Sequence, residues 1–118
     1  MIGKTEVAMN EPTNVAPFRL TSAVAEKRIH EIAKSTAAVA LTLHAKERMA
    51  EREITSTDIY RILRTGVVET DPAQNERGEW KCKMTLALRG RRTAGVVVVV
   101  RWPPAKVTVL TVEWEDGR

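Results

Sequence analysis

Apolar residues along this chain recur in two rhythms, helical up to about Thr65 and alternating after Gly78, with one short interruption between the first helical stretches. From residue 22 to about 34, Ala25, Ile29, Ile32 and Ala33 stand at i, i+4, i+7 and i+8, an apolar stripe on a helix that Ser22 is placed to cap. The interruption is residues 37–43, where Val39, Leu41 and Leu43 alternate with Ala38, Ala40 and Thr42 and predict a short strand. Two short helices follow, about 45–52 and 56–65. Thr55 and Asp58 form a capping-box-like pair between them, and Ile54 and Ile59 stand where a hydrophobic staple closes. Gly66 is placed to end the second helix, which buries Ile59, Ile62 and Leu63.

After Val67 and Val68 the chain turns through Asp71-Pro72 and the polar run 75–78. Over 79–88, Trp80, Cys82, Met84, Leu86 and Leu88 face one way while Lys81, Lys83 and Thr85 face the other. Residues 89–93, with Gly90, predict a hairpin turn. The five consecutive valines within 95–102 predict a central strand covered on both faces, stopped by Pro103-Pro104. The last strand runs over 106–114, and its apolar phase shifts between Val109 and Leu110, the mark of a bulge or of burial on both sides. Helices first and an antiparallel meander afterwards predict an α+β domain, with the N-terminal helices packed on one face of the sheet. Residues 1–19, polar and interrupted by Pro12 and Pro17, read as a flexible arm, and residues 20–118 as a single domain.

Composition narrows the class. A chain of 118 residues can bury one core without metal or disulfide support. Its one cysteine, Cys82, cannot pair internally and offers no metal-ligand spacing, so a reducing compartment and no structural zinc are expected. There Cys82 should be a buried, inert thiol. The absence of a signal-type segment or spanning run predicts a cytoplasmic chain without membrane contact. The net charge of +4 is uneven: residues 79–106 hold seven basic side chains against a single acid, Glu79. Such an excess attracts polyanions, although a solvated sheet face would carry the same charges.

Candidate chemistry centres on the run His44 to Ile54. On a helix, His44, Arg48 and Arg52 follow one another at steps of four and fan along one side. A neutral imidazole can take a proton from a hydroxyl, and guanidiniums bind phosphate in a forked geometry. Arg52 turns toward the apolar side, where an ion pair to Asp58 or Glu69 competes evenly with phosphate binding. A second set is Lys81 and Lys83 on one strand face with Arg89, Arg91 and Arg92 at the turn, a spacing compatible with single-stranded RNA. Trp80, Trp102 and Trp114 are either stacking surfaces or, preferably in a chain with one Phe and one Tyr, core. His30 reads as a half-exposed surface histidine and Tyr60 as a partly exposed hydroxyl. No glycine-rich phosphate loop, GxSxG, CxxC, HExxH or acidic cluster suited to magnesium is present, and no cofactor is expected.

The stretch HAKERMAEREITSTDIYRILRTGVVE, with strands ending VTVLTVEW, resembles the DUF4258 family of bacterial domains of unknown function. The recurring positions there are His44, Arg48, Arg52, Ile54, the helix from Ser56, and Gly66, and the likeness runs from about Val39 to Trp114. That family is similar to the RelE-like and barnase-like ribonuclease toxins, small α+β domains with helices beside an antiparallel sheet. The resemblance implies a metal-independent endoribonuclease of toxin type that cleaves RNA by attack of the 2′-hydroxyl on its own phosphate. His44 would then be the acid or base and Arg48 would stabilise the charged transition state, with RNA as substrate and an antitoxin protein as partner. The alternative is a non-catalytic module that binds nucleic acid or a protein partner.

Overall fold

A computed structural model describes residues 19–88, 90 and 92–116; of the arm read over residues 1–19, all but Arg19 lies outside this range. Three helices, α1 (Ser22–Ile32), α2 (Leu43–Arg52) and α3 (Ser56–Thr65), lie against a sheet of six strands. The strands are β1 (Val39–Leu41), β2 (Val67–Val68), β3 (Ala73–Gln74), β4 (Trp80–Ala87), β5 (Thr93–Arg101) and β6 (Lys106–Trp114). They run in the order β1-β6-β5-β4-β2, with β3 also paired to β4. The fold is α+β, as the two rhythms predict. All pairings are antiparallel except β1 with β6, which are parallel, Val39 opposite Val107.

Each helix begins where a hydroxyl can satisfy an orphan N–H. The cap of α1 is Thr21, one residue before the position read from sequence, and its Oγ1 accepts from Val24 N. Thr42 caps α2 in the same way through Ala45 N. At α3 the capping box is complete: Thr55 Oγ1 accepts from Asp58 N at 3.1 Å, and Asp58 Oδ2 accepts from Thr55 N at 2.9 Å. Replacing Thr55 with alanine is expected to lower stability by about 1 kcal/mol, seen as a lower urea midpoint at unchanged slope.

The core lies between the helices and one sheet face. Ile59, Ile62 and Leu63 of α3 are fully buried, each contributing about 1.5–3 kcal/mol through the apolar surface it removes from water. From the sheet, Met84, Val96, Val98, Val100, Val107, Val109 and Val112 belong to the same buried cluster. The phase shift in β6 is a β-bulge. Val97 pairs with Thr111 and Val98 with Val109, so Leu110 is the extra residue, and Val109 and Val112 both point inward despite their odd separation. β5 takes the central place expected of it, but only one of its faces is sealed. Val97 and Val99, on the face away from the helices, are half-buried because no described element covers them.

Hydrogen bonds fasten α1 to the domain, beginning with Ser22 N, which donates to Asp71 Oδ1 at 2.8 Å. His30 Nε2 donates to the Gly66 carbonyl at 2.8 Å, Arg64 Nε donates to the Ala33 carbonyl at 2.7 Å, and Val68 N donates to Glu26 Oε1 at 2.9 Å. His30 is thus a strut between α1 and the end of α3, consistent with the non-catalytic reading of it. Gly66 ends α3 as expected, but in extended conformation (φ −78°, ψ −179°), without a left-handed turn. A Cβ there would lie 2.5 Å from the Ile62 carbonyl oxygen and 2.9 Å from that of Thr85, so what selects glycine is the close approach of two backbones.

Candidate functional site

α2 begins at Leu43, two residues before its expected start, and this changes the position of His44. His44 is the second residue of the helix, three residues past the end of β1, and its exposed side chain has no hydrogen-bond partner among the described residues. With a rise of about 1.5 Å per residue, His44 and Arg52 are separated by about 12 Å along the axis, too far to grip one phosphate together. Arg48 sits between them. Its guanidinium and that of Arg52 both donate to Glu51 Oε1, the Arg52 contact at 3.2 Å. The ion pair expected from Arg52 to Asp58 or Glu69 is therefore made with its sequence neighbour. Asp58 is engaged in the α3 cap, and Glu69 accepts from Thr85 Oγ1 at 3.5 Å.

The C-terminal end of α2, not its start, borders an open cleft of about 1000 Å³. Lys46, Met49, Glu51, Arg52 and Glu53 line it from α2 and its cap, Ile54 and Thr55 from the junction, and Arg92 and Trp114 from the sheet. Glu53 is the one described non-glycine residue with positive φ (57°); it turns the chain so that Ile54 N closes onto the Met49 carbonyl and Ile54 enters the core. Trp114 is buried, and its Nε1 donates to the Arg52 carbonyl at 3.0 Å, satisfying one of the open carbonyls at the helix end. Over that indole lies the Arg92 guanidinium, its carbon 4.1 Å from the ring centroid.

Across the sheet, the basic face read from residues 79–106 is partly neutralised. Lys83 Nζ donates to Glu113 Oε2 at 3.0 Å and lies 2.9 Å from Glu115 Oε1, both supplied by β6 and the residue after it. Lys81 is exposed on the same strand, and Arg89 and Arg91 lie outside the described residues. Hydrogen bonds donated to Glu115 and Glu113 hold the Lys83 ammonium above its ordinary pKa, and the bond accepted from Lys83 holds Glu113 below the usual carboxylate range. Glu113 therefore stabilises the fold above its unfolded-state pKa and loses that contribution as pH falls through its lowered value. The raised Lys83 value keeps its own contribution through neutral pH and removes it only in alkali. With side chains 39% and 43% exposed, solvent screens the pair, and Glu113→Gln is expected to cost no more than about 1 kcal/mol at neutral pH. That difference should shrink in urea titrations run below the ordinary carboxylate pKa and vanish once the pH has fallen past the lowered Glu113 value.

Other candidates fall into place. Burial raises the Cys82 thiol to about 11, so it is protonated and inert at neutral pH, as expected. Trp80 and Trp114 are core, while Trp102 is half-buried with Arg28 over its ring at 4.8 Å. Tyr60 is half-buried under the Arg64 guanidinium, away from the cleft lining. No group of three or more His, Cys, Asp or Glu suited to a metal ion occurs among the described residues, and no helix among them is long and apolar enough to cross a membrane.

The model of the family described as domain of unknown function DUF4258 matches residues 41–114, more than half of the chain. The chain belongs to the DUF4258 family. No curated protein and no solved structure is significantly similar to it. The DUF4258 portion comprises α2, α3 and nearly all of the sheet, so the cleft residues Lys46 to Trp114 lie entirely within it. α1 precedes the matched residues and is braced against them by His30, Arg64 and Glu26.

Of the residues singled out from sequence, Arg52 and Arg92 meet in the cleft, whereas His44 and Arg48 lie further along α2. Sequence reasoning missed Lys46, Glu51 and Trp114 as cleft residues. The pairing of Ala94 with Trp114 across β5 and β6 is what carries Arg92 to the indole, and only a correct hairpin register would have revealed it.

Proposed function

We propose that this DUF4258 domain is a cytoplasmic endoribonuclease of toxin type that acts on single-stranded RNA without a metal ion and is held in check by an antitoxin. The observation that carries the reading is the cleft at the C-terminal end of α2. Three cations, Lys46, Arg52 and Arg92, line it together with Glu51 and Glu53, and the flat guanidinium of Arg92 covers the buried Trp114 ring. Charge for the backbone and flat surface for bases are what single-stranded nucleic acid requires. The arrangement of helices on one sheet face also agrees with what the resemblance to RelE-like and barnase-like toxins implies.

In this reading RNA lies along α2. Arg52 and Lys46 take phosphate in the cleft, and the strand continues past Arg48 to His44. Releasing Arg48 and Arg52 from Glu51 costs little, since surface ion pairs are worth about 0–1 kcal/mol and a phosphate offers stronger charge-assisted hydrogen bonds in return. His44 takes the 2′-hydroxyl proton, that oxygen attacks the adjacent phosphorus, and the 5′-oxygen leaves with a proton from water while the His44 imidazolium returns its own to solvent, giving a 2′,3′-cyclic phosphate and a 5′-hydroxyl. Arg48 neutralises the charge that builds on the phosphoryl oxygens. Incubation of the protein with total RNA in EDTA should yield fragments with cyclic-phosphate ends; intact RNA, or cleavage abolished by EDTA, would refute it.

One observation favours a second reading, a non-catalytic RNA-binding module. His44 has no partner among the described residues to orient its ring, whereas catalytic imidazoles are normally held by one. Salt-dependent RNA binding without turnover would establish that alternative.

A further inference from the structure

Arg92 is built differently from the other cations of the cleft. Its Nε and Nη2 donate to Asp116 Oδ2 and Oδ1, each at 3.2 Å, so a carboxylate occupies the forked edge with which arginine ordinarily grasps a phosphate. One face of the guanidinium rests on the Trp114 ring, 4.1 Å from its centroid, and that ring is itself pinned by the hydrogen bond from its Nε1 to the Arg52 carbonyl. A flat cation is thus held in plane by Asp116 and from beneath by Trp114, while 40% of its side-chain surface stays open to solvent.

These constraints leave the guanidinium plane oriented and its charge largely answered by Asp116. A group so fixed is poorly suited to chelating phosphate and well suited to offering a flat, polarisable surface at little entropic cost, since its rotamer is already set. Unpaired bases stack on arginine planes as they do on aromatic rings. The neighbours are consistent: Lys46 and Arg52, lining the same cleft, supply charge for the sugar–phosphate chain that such a base would carry.

We propose that the outer face of the Arg92 guanidinium, layered on Trp114, is a stacking platform for a single unpaired nucleobase. This rests on the cleft being an RNA site. Trp114 then serves as the second layer of the stack, and Asp116 as the group that sets the angle of the platform.

The test compares a 2′-O-methyl oligoadenylate, which cannot undergo attack by its own 2′-hydroxyl, with an oligomer of equal length carrying stable abasic residues. Both present the same phosphates, and fluorescence anisotropy gives the affinities of the wild-type protein and of Arg92→Lys, which keeps the charge and removes the plane. The wild type is expected to favour the base-bearing oligomer by about tenfold, the scale of one stacked base, and Arg92→Lys to bring that ratio close to one. Tryptophan emission and the melting temperature report that the variant is folded. Equal binding of the two oligomers by the wild type, or an undiminished preference in Arg92→Lys, would overturn the platform while leaving RNA binding intact. Binding of neither oligomer would overturn the RNA reading and the platform with it.

Discussion

Substitution of His44 by alanine is expected to slow RNA cleavage at least about a hundredfold, the usual loss when a general acid or base is removed, while the domain unfolds at its original temperature. The second half of that expectation follows from geometry. His44 is exposed on the first turn of α2 and holds no described residue in place, so its removal should change stability by no more than about 0.5 kcal/mol. Cleavage measured by the appearance of cyclic-phosphate ends, beside a thermal melt, separates loss of chemistry from loss of fold. Cleavage undiminished in His44→Ala would remove the imidazole from the reaction. It would direct attention to Glu51 and Glu53, the carboxylates that line the cleft beside Arg52.

The largest effect on stability is expected at Gly66. Valine there would force its Cβ against the carbonyl oxygens of Ile62 and Thr85, both backbone atoms that cannot swing aside as a side chain would. The same peptide presents its own carbonyl to His30 Nε2, so any shift that relieves the clash also loosens α1. We expect Gly66→Val to cost about 3 kcal/mol and to lower the melting temperature by more than about 10 °C. Gly66→Ala should move in the same direction, because the first added carbon already meets the obstacle. A variant that melts with the wild type would show that α3 and β4 can separate freely at this point.

Local features carried most of the elements. The α3 cap, the apolar face of Ile59, Ile62 and Leu63, the alternation of β4 and the bulge at Leu110 all depend on residues a few positions apart, and such spacing is what a sequence displays directly. α2 starts two residues before the point its pattern predicts, because Leu43 continues the alternation of the preceding strand although it stands exposed at the first position of the helix. The parallel pairing of β1 with β6 and the neutralisation of Lys83 by Glu113 and Glu115 depend on strand order, which no local pattern encodes. The same holds for the site. His44, Arg48 and Arg52 are conspicuous in sequence because they are close along the chain. The contact between Arg92 and Trp114 joins the residue before β5 to the last residue of β6 and comes into being only with the hairpin.

The edge strand β1 precedes both family helices, and among the described residues its strand partner in the sheet is β6, the last described strand. During synthesis, β1 therefore has nothing to pair with until α2, α3 and the whole meander have been made. The same final strand delivers Trp114, against which both the end of α2 and Arg92 settle. A nascent chain that has emerged only as far as β5 lacks the floor of the cleft as well as the edge of the sheet. Any activity that depends on this cleft is thereby withheld from incomplete chains and begins only once translation of the domain has finished.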